Sequence, residues 1–258
     1  MRAYVFDVDQ NLYNTETPII IEQKHEDHSW KQIWIPHSEY QKIKNNDNFR
    51  DVDNKIKYSL FRDDWPNWNE AFKIDIYQAI SNQSYWPSYD KFVEAVKHAN
   101  PIAIITARGH AEKNLRSTFS PIIAKILSEE NDIFIKNMEN LYNSELWLEN
   151  ALSKYIDLSK FYAVCNTDFE EKYPNQSPAF RKTKAMEDFL EYAISELKTL
   201  YKKEKISIWF SDDSEDNIIN MIDFFQHKKT DEKFKNTHFV IYHTATDGTK
   251  KIKITEKN

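Results

Sequence analysis

One cysteine, Cys165, and two glycines are found among 258 residues. A single thiol excludes an intramolecular disulfide and a cysteine-built zinc site, and it suits a reducing compartment. No apolar run reaches the length needed to span a bilayer. The chain enters "AYVFDVD" at once, leaving no room for the charged leader and apolar core of a signal peptide, so cytosol is the default expectation, with secretion by a non-classical signal as the alternative. Repeats and low-complexity tracts are lacking too. No Gly/Pro/Ser-rich linker marks a boundary, and residues 1–258 are expected to form a single domain. Positive charge is also in mild deficit: 35 Lys and Arg face 41 Asp and Glu, a formal charge of −6. That balance disfavours a broad phosphate-backbone footprint and hence nucleic acid as a partner, although the local cluster "KTLYKKEK" can still meet anions.

Aromatic residues make up 14% and charged residues of both signs 29%, the composition of a packed core under a charged surface. Five short apolar runs stand out: "AYVF" (3–6), "IAIIT" (102–106), "FYAVC" (161–165), "ISIWF" (206–210) and "HFVIY" (238–242). They are rich in β-branched and aromatic residues and do not alternate with polar ones, which predicts strands buried on both faces. Helical patterns precede them. In "SYDKFVEAVKHAN" Ser88 is a candidate N-cap, and Phe92, Ala95, Val96 and Ala99 share a face. After Arg181, the residues Ala185, Met186, Phe189, Leu190, Ala193, Ile194 and Leu197 repeat at helical spacing. Strands alternating with helices imply an α/β fold with a five-stranded parallel sheet flanked by helices.

Two intervals exceed simple crossovers. Residues 16–85 carry "TPIIIEQK" and "WKQIWIP", which can pair as a β-ribbon, and then the Trp-rich "DDWPNWNEAF"; this interval is expected to be a cap or flap insertion. Residues 111–159 read as a helical insertion, with "PIIAKILSEE" and "SELWLENALSKYI".

Ligands of an open parallel sheet sit beyond the carboxyl ends of its strands. Asp7 and Asp9 follow the first run, Thr106 with Ala107, Arg108 and Gly109 ends the second, and Asp212 and Asp213 follow the fourth. A lone Asp more often ends a strand as turn chemistry, and a lone Thr is an ordinary strand residue. A calcium loop starting at Asp7 fails, because Leu12 stands where a glycine is needed and Pro18 where a bidentate Glu is needed. Close carboxylates repel unless a cation or proton relieves them, and Mg²⁺ with a phosphoryl group suits such a cluster.

The ordered set of "YVFDVDQNLYNT", "IAIITARG", "RKTKAMEDFL" and "ISIWFSDDSEDNI" resembles the haloacid dehalogenase-like superfamily, specifically its phosphatases. The resemblance runs from the first strand to the fifth and implies a Rossmannoid sheet ordered 5-4-1-2-3. It implies Asp7 as nucleophile forming an aspartyl-phosphate, Asp9 as general acid and base, and Thr106 as a phosphate-binding hydroxyl. Lys182 would be the charge-stabilising cation, with Lys184 as the fallback. Mg²⁺ would be held by Asp7, the backbone carbonyl of Asp9 and Asp213, with Asn217 as outer support; a second register selects Asp212 and Asp216 instead. Asn11 departs from the usual Thr, Ser or Val, and Gln10 from the common Gly, while leaving the chemistry intact. The implied activity is Mg²⁺-dependent hydrolysis of a phosphate monoester, either phosphotyrosine on protein or a small metabolite. The alternative from another class is a phospho-ligand-binding protein without catalysis.

Arg108 and His110, next to Thr106, are candidate substrate contacts. His25 and His28 in "HEDH" lack convergent partners and read as surface residues. Cys165 reads as a small core residue. Trp30, Trp34, Trp65 and Trp68 read as the core of the insertion rather than a recognition surface, although aromatic rims suit phosphotyrosine-like substrates.

Overall fold

A computed structural model of the chain describes residues 1–43, 45–63, 70–203, 205–245 and 248–254. It begins with β1 (Arg2–Phe6), then β2 (Pro18–Lys24), β3 (Trp30–Pro36), α1 (His37–Ile43), β4 (Phe49–Asp51), α2 (Asn54–Lys57), α3 (Ala71–Ser81) and α4 (Tyr89–Lys97). There follow β5 (Ile102–Thr106), α5 (Glu112–Glu129), α6 (Asp132–Tyr142), α7 (Leu148–Leu158), β6 (Lys160–Ala163), α8 (Thr167–Lys172) and α9 (Pro178–Tyr192). The last elements are α10 (Lys198–Leu200), β7 (Ile206–Asp212), α11 (Glu215–Lys229), β8 (Thr237–Ala245) and β9 (Gly248–Ile254).

The result is an α/β fold whose central sheet has six strands in the order β6-β5-β1-β7-β8-β9. The first five are parallel to one another, and their relative order is the expected one. The sixth corrects the expectation of five: β9 returns antiparallel on β8, from Ala245 paired with Gly248 to Phe239 paired with Ile254. Its sequence "GTKKIKI" hides it, since Lys250, Lys251 and Lys253 are exposed on an edge strand, where such charges block pairing with other chains. Of the apolar runs, Ala3 to Phe6 and Ile102 to Ile105 are buried on both faces and form the middle of the core. The other three depart from that expectation, since Tyr162 on β6, Ser207 and Trp209 on β7 and Tyr242 on β8 are half-buried and His238 is exposed. Helices α4, α5, α9 and α11 pack against this sheet.

Two helix starts differ from expectation. Ser88 does not cap α4 with its side chain; its hydroxyl donates to Asn11 Oδ1 at 3.0 Å instead. Helix α9 begins at Pro178, with Ser177 Oγ accepting from the Phe180 N–H, so Lys182 lies inside the helix rather than at its first turn.

Within residues 16–85, β2 and β3 pair antiparallel from Pro18–Pro36 to Lys24–Trp30, and β4 joins the other edge of β2 to give the order β3-β2-β4. Ile19, Ile20 and Ile21 fill this small sheet's core. Trp34 is 57% exposed on the edge strand β3, contrary to the core role expected of it, and Arg50 stacks over Trp30. Trp65 and Trp68 lie outside the described residues.

The segment is tied to the loop after β5. Gly109 N–H donates to Phe61 O at 2.8 Å, and Asp63 Oδ2 accepts from the Ala111 N–H at 2.6 Å and from Asn114 at 2.7 Å, at the start of α5. Gly109 is required there: a Cβ would stand 2.4 Å from the Cys165 carbonyl oxygen. Cys165 itself is half-buried in the turn after β6 rather than in the strand. Among the described residues no helix is long and apolar enough to cross a membrane.

Candidate active site

The chain leaves β1 toward β5 on one side and reaches β7 on the other, so β1 and β7 flank the point where strand order reverses, the usual ligand crevice of an open sheet. Asp7 sits there. Its N–H donates to Ser211 O on β7 at 3.1 Å, fixing the loop to the neighbouring strand. The Val8 carbonyl then accepts from the N–H groups of Leu12 at 3.0 Å and Tyr13 at 3.1 Å, folding Asp9 back over the strand end. Gln10 pays for the tightness of this turn with a left-handed φ of 52°, which costs a residue with a side chain about 1–2 kcal/mol.

Asn11 locks the loop. Its amide nitrogen donates to Asp7 O at 3.0 Å, Ser211 O at 3.2 Å and Ser211 Oγ at 3.0 Å. Its oxygen accepts from Ser88 Oγ at 3.0 Å and Thr244 Oγ1 at 2.9 Å. The two backbone carbonyls dictate which way the amide points, since only the nitrogen can donate to them. One fully buried side chain therefore joins the loop after β1 to β7, β8 and the start of α4. A Thr or Ser in this place has a single hydroxyl and reaches fewer partners.

Asp7, Asp212 and Asp213 each offer a carboxylate oxygen, and these oxygens lie within 4.8 Å of one another. Asp212 is fully buried; its Oδ1 accepts from the Ser214 N–H at 3.0 Å and Asn217 Nδ2 at 2.9 Å, and its Oδ2 from Lys182 Nζ at 2.7 Å. Asp213 is partly exposed, and its backbone carbonyl meets His243 Nε2 at 3.0 Å. Asp216 is exposed on α11 and does not join the group. Lys182 Nζ is also 2.9 Å from Asp7 Oδ1, but off the axis of a good hydrogen bond, so that buried oxygen has charge compensation without a well-directed donor. Lys184 turns away to Glu187 at 2.9 Å.

Like charges 4–5 Å apart repel by about 3–4 kcal/mol at an effective dielectric near 20. Burial, opposed by Lys182 and reinforced by Asp212, Asp213 and Asp9, accordingly holds the Asp7 carboxyl well above the ordinary carboxylate range. Burial and Asp212 push Asp213 up to about 7. Fully ionised, three carboxylates against one ammonium would leave two negative charges uncompensated, and without a cation Asp7 and Asp213 relieve that by holding their protons more tightly. An all-oxygen donor set with that deficit, and a buried oxygen lacking a directed donor, fits a hard divalent cation such as Mg²⁺.

Thr106 is fully buried at the end of β5, and its hydroxyl accepts from the Arg108 N–H at 3.2 Å. The Arg108 side chain is 1% exposed and does not reach toward open space. Its Nε donates to Asp9 Oδ2 at 3.0 Å, with a longer contact to Oδ1 at 3.3 Å, and its Nη2 donates to Asp9 Oδ1 at 2.8 Å and Thr17 Oγ1 at 2.5 Å. Nη1 donates to Asp75 Oδ2 at 2.7 Å, and Thr17 in turn donates to that oxygen. Thr15 adds a short hydrogen bond to Asp9 Oδ1. Burial pushes the Asp9 carboxyl up, but Arg108 and Thr15 outweigh it and hold it below the ordinary range. His110 is fully buried against Phe72 with neither ring nitrogen hydrogen-bonded among the described residues, and burial with Arg108 pushes it down to about 3, Asp9 opposing.

Thr15, Thr17 and Asp75 were not singled out from the sequence. Asp75 did leave a signal: it occupies the apolar stripe Phe72, Ile76, Ala79 of α3, where an acid needs a buried partner. His25 and His28 are exposed and join no cluster among the described residues. Compared with known proteins, the chain matches no family model, no curated protein and no solved structure.

Proposed function

We propose that this chain is a Mg²⁺-dependent phosphomonoester hydrolase of the haloacid dehalogenase-like kind, acting through an aspartyl-phosphate on Asp7. The observation that carries this reading is the meeting of Asp7, Asp212 and Asp213 within 4.8 Å at the β1/β7 crevice, with Lys182 2.9 Å from Asp7. An Asp7 oxygen attacks phosphorus as the bond to the leaving oxygen breaks with its electron pair. Asp9, which Arg108 holds ionised in the free chain, takes up a proton as the bound phosphate adds negative charge beside it and gives that proton to the leaving oxygen. Water then attacks the phosphoryl group, its proton passes to Asp9, and the pair of the acyl-phosphate bond returns to the Asp7 carboxylate, releasing inorganic phosphate. Lys182 offsets the charge that Asp7 and the phosphoryl group share. Thr106 has an uncommitted hydroxyl proton among the described residues, suited to a phosphoryl oxygen. Mg²⁺, when bound, would screen the phosphoryl oxygens from the carboxylates. Its holders would be Asp7, the Asp9 carbonyl and Asp213, since Asp212 already accepts from three donors. Asp212 remains the second choice.

Phosphorylated protein, phosphotyrosine above all, and small phosphorylated metabolites are the substrate classes to compare. The test is turnover of 4-nitrophenyl phosphate with and without Mg²⁺, followed by phosphopeptides, sugar phosphates and nucleotides. Hydrolysis by the wild type that is lost in Asp7→Asn supports the proposal and excludes a binding-only protein. Equal turnover by the two would refute it.

A further inference from the structure

Arg108 has the position of a substrate contact in the sequence, but its guanidinium is buried and committed to the chain's own acids. Two further features mark this commitment. The first is its asymmetry at Asp9. Oδ1 receives Nη2 at 2.8 Å, a longer contact from Nε and the Thr15 hydroxyl, whereas among the described residues Oδ2 receives only Nε at 3.0 Å. A carboxylate oxygen has two lone-pair directions, so Oδ1 is filled and Oδ2 keeps one free. The second is the brace behind the guanidinium. Asp75 on α3 and Thr17 at the start of β2 hold the far side of the fork, at 2.7 Å and 2.5 Å, so the planar group cannot swing without breaking bonds on both sides. A planar guanidinium fixed from two directions holds the carboxylate on its other side in one orientation.

We propose that Arg108, braced by Asp75 and Thr17, is a positioning residue that holds Asp9 with Oδ2 as the proton acceptor for the water that hydrolyses the aspartyl-phosphate. The inference rests on the phosphatase reading of the same site. In the step concerned, water oxygen bonds to phosphorus, the bond from phosphorus to the Asp7 oxygen breaks with its electrons returning to that carboxylate, and the water proton goes to Asp9 Oδ2. Segment 16–85 thereby takes part in the chemistry through Thr17 and Asp75, although neither touches the reacting atoms.

Pre-steady-state hydrolysis of 2,4-dinitrophenyl phosphate with Mg²⁺ isolates this step, because dinitrophenolate leaves without needing a proton. In Arg108→Lys, which keeps the charge and loses the fork, the burst of dinitrophenolate is expected at the wild-type rate, followed by a steady rate lower by about 100-fold, the scale of general base catalysis. Asp9→Asn is expected to show the same split, and the double variant to be no slower than Asp9→Asn alone. Burst and steady rate falling together, a steady rate like the wild type's, or additive losses would each overturn the positioning role. Should Arg108→Lys fail to fold, Asp75→Asn carries the test, with the same split at smaller size expected and an unchanged steady rate contradicting it. A wild type that releases no more dinitrophenolate than Asp7→Asn would refute the phosphatase reading itself, and this inference with it; turnover with a uniform loss in Arg108→Lys refutes the inference alone.

Discussion

Lys182 Nζ lies 2.9 Å from Asp7 Oδ1, an ammonium from the interior of helix α9 set against a carboxylate at the end of strand β1. Both side chains are almost wholly buried, and Lys182 is held fully charged: burial alone would lower it, but Asp212 and Asp7 raise it well above its ordinary value. The cation is thus a fixed counter-charge, unable to serve as a proton carrier near neutral pH.

Replacing Lys182 leaves two buried acids facing each other. Lys182→Met is expected to lower stability by about 3–5 kcal/mol, the cost of breaking a buried pair from one side, and to abolish phosphate ester turnover. Lys184→Met removes a partly exposed pair with Glu187 and should change stability by less than about 1 kcal/mol. Urea titrations of both variants, beside the wild type, check the contrast.

Divalent metal should stabilise the fold by neutralising the trio. At Mg²⁺ concentrations about 100 times its Kd, the expected gain is about 2.7 kcal/mol, visible as a rise in Tm that EDTA reverses. Asp213→Asn should shrink the rise, as it takes away the acid with the fewest competing donors. A shift of equal size in Asp213→Asn would remove that residue from the metal site.

Asn11→Ala strands Ser88 Oγ, Thr244 Oγ1 and Ser211 Oγ in the interior at once. With about 1–3 kcal/mol for each unsatisfied buried group, a loss of at least about 3 kcal/mol is expected, measured by chemical denaturation. Asn11→Asp should be worse, since a carboxylate cannot donate to the Asp7 and Ser211 carbonyls and adds charge beside Asp7.

His110 predicts an acid sensitivity. Burial and Arg108 push it down to about 3 in the folded chain, while the unfolded chain takes up the proton below about 6.5. Its contribution is therefore complete above pH 6.5 and is lost as pH falls toward 3; between pH 7 and pH 5 the loss is about 2 kcal/mol. His110→Leu should be less destabilised over that interval by the same amount, as read from denaturation at the two pH values.

The parallel strands were legible because runs such as "IAIIT" carry β-branched residues with no polar alternation, and the acids that follow them break the pattern abruptly. β9 was not, because an edge strand with three exposed lysines has little apolar signal to read. At the site, the acids at strand ends announced themselves, whereas Lys182 stood ahead of Lys184 only through the resemblance to a phosphatase motif that Ala185, Met186 and Phe189 complete. Asp75 and Thr17 were invisible as partners of Arg108: they come from two different elements of a segment whose docking onto the β5 loop is set by tertiary contacts, Phe61 to Gly109 among them. Asn217 was expected as outer support with Asp213 as the direct ligand, and its amide donates to Asp212 Oδ1.

The most direct measurement is acid quenching of the wild type within one turnover of 2,4-dinitrophenyl phosphate and Mg²⁺, followed by peptide mass spectrometry. A phosphoryl adduct on Asp7, absent from Asp7→Asn and longer-lived in Asp9→Asn, is the predicted result. Turnover by the wild type with no adduct on Asp7, and undiminished in Asp7→Asn, would contradict the account.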